Sequence, residues 1–232
     1  MELKDKIVVI TGGSEGLGKT LAQYFHNEGS KVIISSKNKE ELEKSANEIG
    51  IDYFVADVTK EDEMEKLVEF ALQKYNTLDV WVNNAGVLYS FLSEDKYIDV
   101  AKAKEMFDVN FFGTIFGSRQ ALKKMKSVNS GAIINIISTA ALDATKAKNL
   151  KIYFASKWAV RAYTEALNEE YKNSGISIFA VYPGGIKTKL WRNYKHEKFD
   201  EFMALEYVAD IIINNLKSDN PEHSLIIKRP TA

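Results

Sequence analysis

The stretch "KIVVITGGSEGLGKTLAQYF", Lys6 to Phe25, sets a β-branched run, a glycine cluster and an amphipathic segment in immediate succession. "KIVVIT" shows no polar alternation, which suits a strand buried on both faces. The glycines at Gly12, Gly16 and Gly18 let the backbone turn sharply and approach a ligand with no Cβ in the way. "GKTLAQYFHNEGS" then reads as a helix ended by Gly29. Strand, glycine loop and helix in that order put unpaired helix N–H groups and a positive dipole end at the loop, a setting suited to phosphate.

Outward from this unit the alternation continues. "KVIIS", "DYFVADV", "LDVWVNNAG", "GAIINIIS", "ISIFAVYPGG" and "SLIIKR" read as strands. Between them, "KEELEKSANEIG", "EDEMEKLVEFALQKY", a segment from Ala103 to Lys126, one from Lys151 to Asn173 and "LEYVADIIINNLK" read as helices. Repeated strand–helix units predict an α/β fold: a doubly wound parallel sheet of about seven strands with helices on both faces. No repeat, low-complexity tract or long linker interrupts the chain, so residues 1–232 are expected to form one domain. The least regular stretches are Tyr89 to Ala101, Thr139 to Leu150 and Lys187 to Leu205. All follow strand ends on one side of the predicted sheet, where such folds bind ligands.

Composition excludes several functions. The chain is 45% hydrophobic and 27% charged with a formal net charge of -1, which gives no reason to expect a nucleic-acid partner. It has no cysteine, which removes disulfides and thiolate chemistry. No apolar run approaches the ~18 residues of a membrane span, and the N-terminal run is too short for a signal peptide. A cytoplasmic protein with no membrane association is expected. The three histidines, His26, His196 and His223, do not cluster, no metal-ligand set is apparent, and exposed helix or loop positions are expected for them.

The second strand ends in Ser36 and Lys37, where an acid would favour the ribose hydroxyls of NAD and a base the 2′-phosphate of NADP. NADP(H) is favoured on Lys37, and NAD(H) stays open because Glu15 in the glycine loop would repel a phosphate. Further along, "YFASK" sets Tyr153 and Lys157 one helical turn apart on one face. An ammonium beside a phenol favours the phenolate and makes the tyrosine a better acid–base catalyst. Taken alone, such a pair is ordinarily a half-buried aromatic beside a solvated lysine.

Together the segments resemble the short-chain dehydrogenase/reductase family in its compact single-domain branch. The resemblance rests on "TGGSEGLG", Asp57-Val58, "NNAG" at Asn83 to Gly86, Asn110 in "DVNFFG", Ser138 in "INIIS", "YFASK", and "PGGIKT" at Pro183 to Thr188. It implies a Rossmann-type fold and an NADP(H)-dependent oxidoreductase, a carbonyl reductase, acting on a small carbonyl or alcohol substrate. Tyr153 would be the proton donor or acceptor, with its pKa lowered by Lys157 and by the positive nicotinamide ring in the oxidised complex; Lys157 would also reach the nicotinamide ribose. Ser138 would hold the substrate oxygen, and Asn110 would bend its helix and hold a water behind the lysine.

For the cofactor, the resemblance implies Gly12, Ser14, Glu15, Gly16, Leu17 and Gly18 in the loop, and Ser36 and Lys37 after the second strand. It adds Asp57 and Val58 at the adenine, and Asn84, Ala85 and Gly86 along the adenosine. Tyr153, Lys157, Pro183, Gly184, Ile186 and Thr188 complete the set toward the nicotinamide. It also implies a homodimer or homotetramer paired through the helices that hold "DVNFFG" and "YFASK". A dinucleotide-binding sensor or scaffold without turnover is the alternative, and a sugar-nucleotide epimerase or dehydratase on a related fold a weaker third.

Two departures from the family pattern stand out. The interval from Ser138 to Tyr153 is long and holds the lysine-rich "ATKAKNLK", and the segment after Pro183 leaves room only for a small lid. Leu88, Tyr89, Ala140, Leu142, Leu150, Gly185, Leu190, Trp191 and Phe199 are the residues expected to face the substrate. Lys187, Lys189, Arg192, Lys195 and Lys198 charge the lid, either for an anionic substrate or as a solvated face.

Overall fold

The computed structural model describes residues 1–91, 98–192, 194 and 196–230. Part of the irregular Tyr89–Ala101 stretch, and Lys195 of the charged lid, therefore lie outside the described residues.

The β-branched runs form β1 (Ile7–Thr11), β2 (Lys31–Ser36), β3 (Asp52–Val55), β4 (Val80–Asn83), β5 (Gly131–Ile136), β6 (Ile176–Pro183) and β7 (Ser224–Ile227). They pair in parallel in the order β3-β2-β1-β4-β5-β6-β7. The helices are α1 (Gly16–Asn27), α2 (Lys39–Ile49), α3 (Glu61–Tyr75), α4 (Val100–Phe107), α5 (Gly113–Val128), α6 (Lys151–Tyr171) and α7 (Leu205–Lys217).

Pleat alternation explains why the central strands have no polar face. Val8 and Ile10 of β1 point into a core shared with α1, α2 and α7, while Val9 points the other way with Trp81 against α3 and α5. Both faces are buried under helices, so every residue of β1 is buried. The chain winds from β1 to β3 on one side and from β4 to β7 on the other. Its direction reverses between β1 and β4, and a crevice opens there beyond the strands' carboxyl ends.

Local chemistry sets the helix ends. Gly29, at φ +84°, takes the chain out of α1, and Asn38 caps α2 by accepting from Glu41 N at 3.3 Å. The segment expected to start at Ala103 starts earlier, because Asp99 accepts from Ala101 N and Lys102 N at 3.0 and 3.1 Å. It is also not one regular helix. Residues Asp108–Phe112 form a π turn between α4 and α5, and Asn110 sits in it.

A buried polar chain ties the sheet to two helices. Asn83 accepts from Trp81 Nε1 at 2.8 Å and donates to Ser118 Oγ and Asn135 Oδ1, both at 2.8 Å. Asn135 then donates to Thr164 Oγ1 at 2.9 Å. Every polar side chain in this chain has a partner, which is what makes its burial tolerable.

Candidate active site

At the crevice a single cleft of about 670 Å³ runs from the glycine loop to the tip of β7. The loop is held from below by Thr11 and Asn84. Thr11 Oγ1 accepts from Asn84 N and Ala85 N at 3.1 and 3.2 Å, and Asn84 Nδ2 donates to Thr11 O and Gly12 O at 3.0 and 3.1 Å. Asn84 thus clamps the loop with its side chain while also lining the cleft. The first asparagine of "NNAG", Asn83, is structural.

Gly12 has φ +64°, and a Cβ there would stand 2.8 Å from Ala85 Cα. A Cβ on Gly18 would meet Gly12 O at 2.3 Å. Gly18 therefore does not line the cleft: its role is to let α1 pack under the loop. Glu15 at the head of α1 gives no side-chain cap to the helix, and the first turn holds no acid. Those free N–H groups with the glycine approach fit a dinucleotide pyrophosphate.

Ser14, Glu15, Gly16, Leu17, Ser36, Lys37, Asp57, Val58, Asn84, Ala85, Gly86, Pro183, Gly184, Ile186 and Thr188 line the same cleft. Ser14 Oγ donates to Ser36 Oγ at 3.2 Å, joining the loop to the end of β2. Lys37 is exposed and has no acidic partner among the described residues. Asp57 spends one carboxylate oxygen on Thr59 N and Oγ1, at 3.0 and 2.9 Å. Glu15 Oε2 lies 2.9 Å from Lys189 Nζ, an ion pair without hydrogen-bond alignment that joins the segment after β6 to the glycine loop.

The structure brings Ser138, Tyr153 and Lys157 to one wall of the cleft. Ser138, just after β5, accepts from Ala140 N at 3.1 Å, which leaves its O–H proton free to donate. Lys157 Nζ donates to Ile136 O at 3.1 Å and stands 6.0 Å from the centroid of the Tyr153 ring. Burial pushes the Tyr153 phenol up to about 12, with the Ser138 hydroxyl pulling it slightly back. Burial likewise brings the Lys157 ammonium down to about 8. In the protein by itself, then, desolvation outweighs the ammonium, and the expected lowering of Tyr153 does not appear.

Asn110 does not reach the cleft. Its Oδ1 accepts from Val87 N at 2.8 Å, and its Nδ2 donates to Val87 O and Ser156 Oγ, both at 3.0 Å. It stands behind the wall as a junction between the π turn, the loop after β4 and α6.

Of the residues expected to face the substrate, Leu88, Tyr89, Ala140, Leu150, Gly185, Leu190 and Trp191 line the cleft. Leu142 instead packs against the cluster of Ile137, Ala141 and Val160, and Phe199 against Phe202. Phe154, Phe202, Arg229 and His196 line the cleft without having been anticipated. His196 is half-buried, not exposed, beside Phe202 and Trp191 at ring-centroid distances of 4.9 and 5.4 Å. The aromatic spacing of "LWRNYKHEKFDEF" was its one available signal.

A sequence profile described as short chain dehydrogenase matches residues 6–198. The chain belongs to the short-chain dehydrogenase/reductase family. It is an oxidoreductase by that membership. Among its relatives, an uncharacterized oxidoreductase of Staphylococcus aureus is 35% identical over 195 residues, 83% of each chain. One from Staphylococcus saprophyticus is 34% identical over 196 residues, 82% of each. Two solved structures share this short-chain dehydrogenase's fold. One, from Burkholderia phymatum in complex with NAD, aligns with TM-score 0.86 at 21% identity over 97% of this chain and 90% of its own. The other, an alcohol dehydrogenase from Thermococcus sibiricus complexed with 5-hydroxy-NADP, aligns with TM-score 0.85 at 24% identity over 98% and 99%.

No helix among the described residues is long and apolar enough to cross a membrane.

Proposed function

We propose that this short-chain dehydrogenase transfers a hydride between NADP(H) and a small carbonyl or alcohol substrate, with Tyr153 as the proton donor or acceptor. The observation that carries the reading is the convergence of Ser138, Tyr153 and Lys157 on the wall of the cleft that the glycine loop opens.

The cofactor, when bound, would supply or accept the hydride. The chain's own residues handle the oxygen and the proton. Ser138 donates its free O–H to the substrate oxygen and holds it at the wall. A phenol raised to about 12 is protonated at neutral pH, which suits it to give its proton to the oxygen in the reductive direction. Lys157, charged below about 8, then stabilises the phenolate left behind. Leu88, Leu150, Phe154 and Trp191 exclude water from that end of the cleft.

NADP(H) is favoured over NAD(H) on two grounds. Lys37 offers an ammonium at the end of β2, where Ser36 takes the place of an acid, and Lys189 offsets the charge of Glu15 that would oppose a phosphate. NAD-bound and NADP-analogue-bound relatives both share the fold, which accords with either nucleotide. The proposal includes self-association through the π-turn and α6 helices, where Phe112 and Trp158 are 42% and 39% exposed. A monomer by light scattering at working concentration would remove that part.

The test is a screen of NADPH and NADH oxidation against aldehydes, ketones, keto acids and quinones. Turnover with NADPH preferred supports the proposal. Tight dinucleotide binding with no turnover on the whole panel would favour a sensor or scaffold instead.

A further inference from the structure

Ser156 lies between Tyr153 and Lys157 and touches neither cleft nor solvent, with 0% of its surface exposed. Its hydroxyl nevertheless joins Asn110 to the turn of helix that carries the tyrosine. Ser156 Oγ donates to Tyr153 O at 2.7 Å and accepts from Asn110 Nδ2 at 3.0 Å. These directions are forced, since a carbonyl only accepts and an amide nitrogen only donates. The orientation of the Asn110 amide is forced too, because it meets both the N–H and the C=O of Val87.

Tyr153 is the third residue of α6, whose N-cap residue, Leu150, provides no side-chain cap. An uncapped first turn leaves its N–H groups unpaired and is prone to fray. A serine that only back-bonds to its own helix needs no second partner. Here the second partner is Asn110, whose remaining bonds hold Val87, next to Gly86 on the cofactor wall. The two bonds at Ser156 therefore link the cofactor wall, the π turn and the peptide of Tyr153 in series.

We propose that Ser156 is a positioning residue: it carries the Asn110 junction to the backbone of Tyr153 and so sets where the phenol stands relative to the Ser138 hydroxyl. The inference rests on the oxidoreductase reading above, in which Tyr153 moves the proton.

Two measurements test it. In steady-state reduction of phenanthrenequinone by NADPH, Ser156→Ala should lower kcat about tenfold, a loss in keeping with a slightly misplaced catalytic group, with KM for NADPH nearly unchanged. The Ser156→Ala/Asn110→Ala double variant should be no slower than Asn110→Ala, because groups acting in series do not add. The second measurement needs no substrate. Ultraviolet titration of the Tyr153 phenol, taken as wild type minus Tyr153→Phe, should shift upward in Ser156→Ala as the phenol leaves Ser138.

An unshifted titration in Ser156→Ala overturns the proposal, and so do losses in kcat that add in the double variant. Full activity in Tyr153→Phe would bring down the proton-transfer role given to Tyr153, on which this inference rests. An inactive Tyr153→Phe beside a normal Ser156→Ala would remove this inference alone.

Discussion

Lys189 and Glu15 meet at 2.9 Å across the mouth of the cofactor cleft, from the turn after β6 to the head of α1. The pair does two things at once. It straps the segment Lys189–Trp191 to the glycine loop, and it offsets a carboxylate that would oppose a phosphate nearby. Lys189 is mostly exposed, so the effect is modest and sensitive to salt. Lys189→Ala is expected to weaken NADPH binding by about threefold in low salt, and NADH binding less, in fluorescence titrations. Equal effects on the two nucleotides would show that the pair acts only as a strap.

Lys37 is expected to matter more. An ammonium facing a 2′-phosphate discriminates the nucleotides directly, and an acid at that position would turn toward ribose hydroxyls. Lys37→Asp should raise the Kd for NADPH by about tenfold or more and move the preference toward NADH, each one tenfold step being about 1.4 kcal/mol. An unchanged ratio of the two Kd values would remove the role given to Lys37.

Burial of Lys157 gives a prediction about stability. Its folded pKa, about 8, lies below the ordinary 10.5, so the folded state binds the proton more weakly than the unfolded chain. The penalty is full below about pH 8, shrinks as pH rises toward 10.5 and vanishes above it. Lys157→Met should therefore raise the Tm at pH 7 by a few degrees, with a smaller gain at pH 10, while abolishing turnover. A lower Tm at pH 7 would mean that the bond from Nζ to Ile136 O outweighs the desolvation.

Gly117 has no conformational reason to be glycine, since it sits within regular α5. Its reason is contact: a Cβ would fall 2.5 Å from Asn83 Oδ1 and 2.7 Å from Trp81 Nε1. Gly117→Ala should push α5 off the buried polar chain and cost about 2–3 kcal/mol, read as a lower urea midpoint. An unchanged midpoint would show that the chain can yield.

The fold was legible because its strands are continuous β-branched runs and its helices are amphipathic, so burial alone separates the two. The loop was legible from its place between a strand and a helix and the Tyr153–Lys157 pair from its helical spacing, whereas Ser138 and the role of the pair came from the family resemblance. Other features depend on contacts distant in sequence, and spacing does not report these. The bend at Asn110 was implied by the family resemblance, but its bonds to Val87 were not, and the structural role of Asn83 follows from Ser118 and Asn135. The place of His196 in the wall follows from packing on Phe202. The upward shift of Tyr153 in the protein by itself was not legible, because a spacing argument counts the neighbouring charge and not the water removed from the phenol.

The central claim is that Tyr153 delivers the proton in a cleft that binds NADP(H), and one comparison tests it most directly. NADPH-dependent reduction of the best carbonyl substrate in the panel is measured with wild type and Tyr153→Phe, alongside NADPH binding by each. The account predicts that the Tyr153→Phe variant binds NADPH as tightly as wild type and loses activity by about a thousandfold, within the range that general acid catalysis contributes. Unchanged turnover in Tyr153→Phe would contradict it.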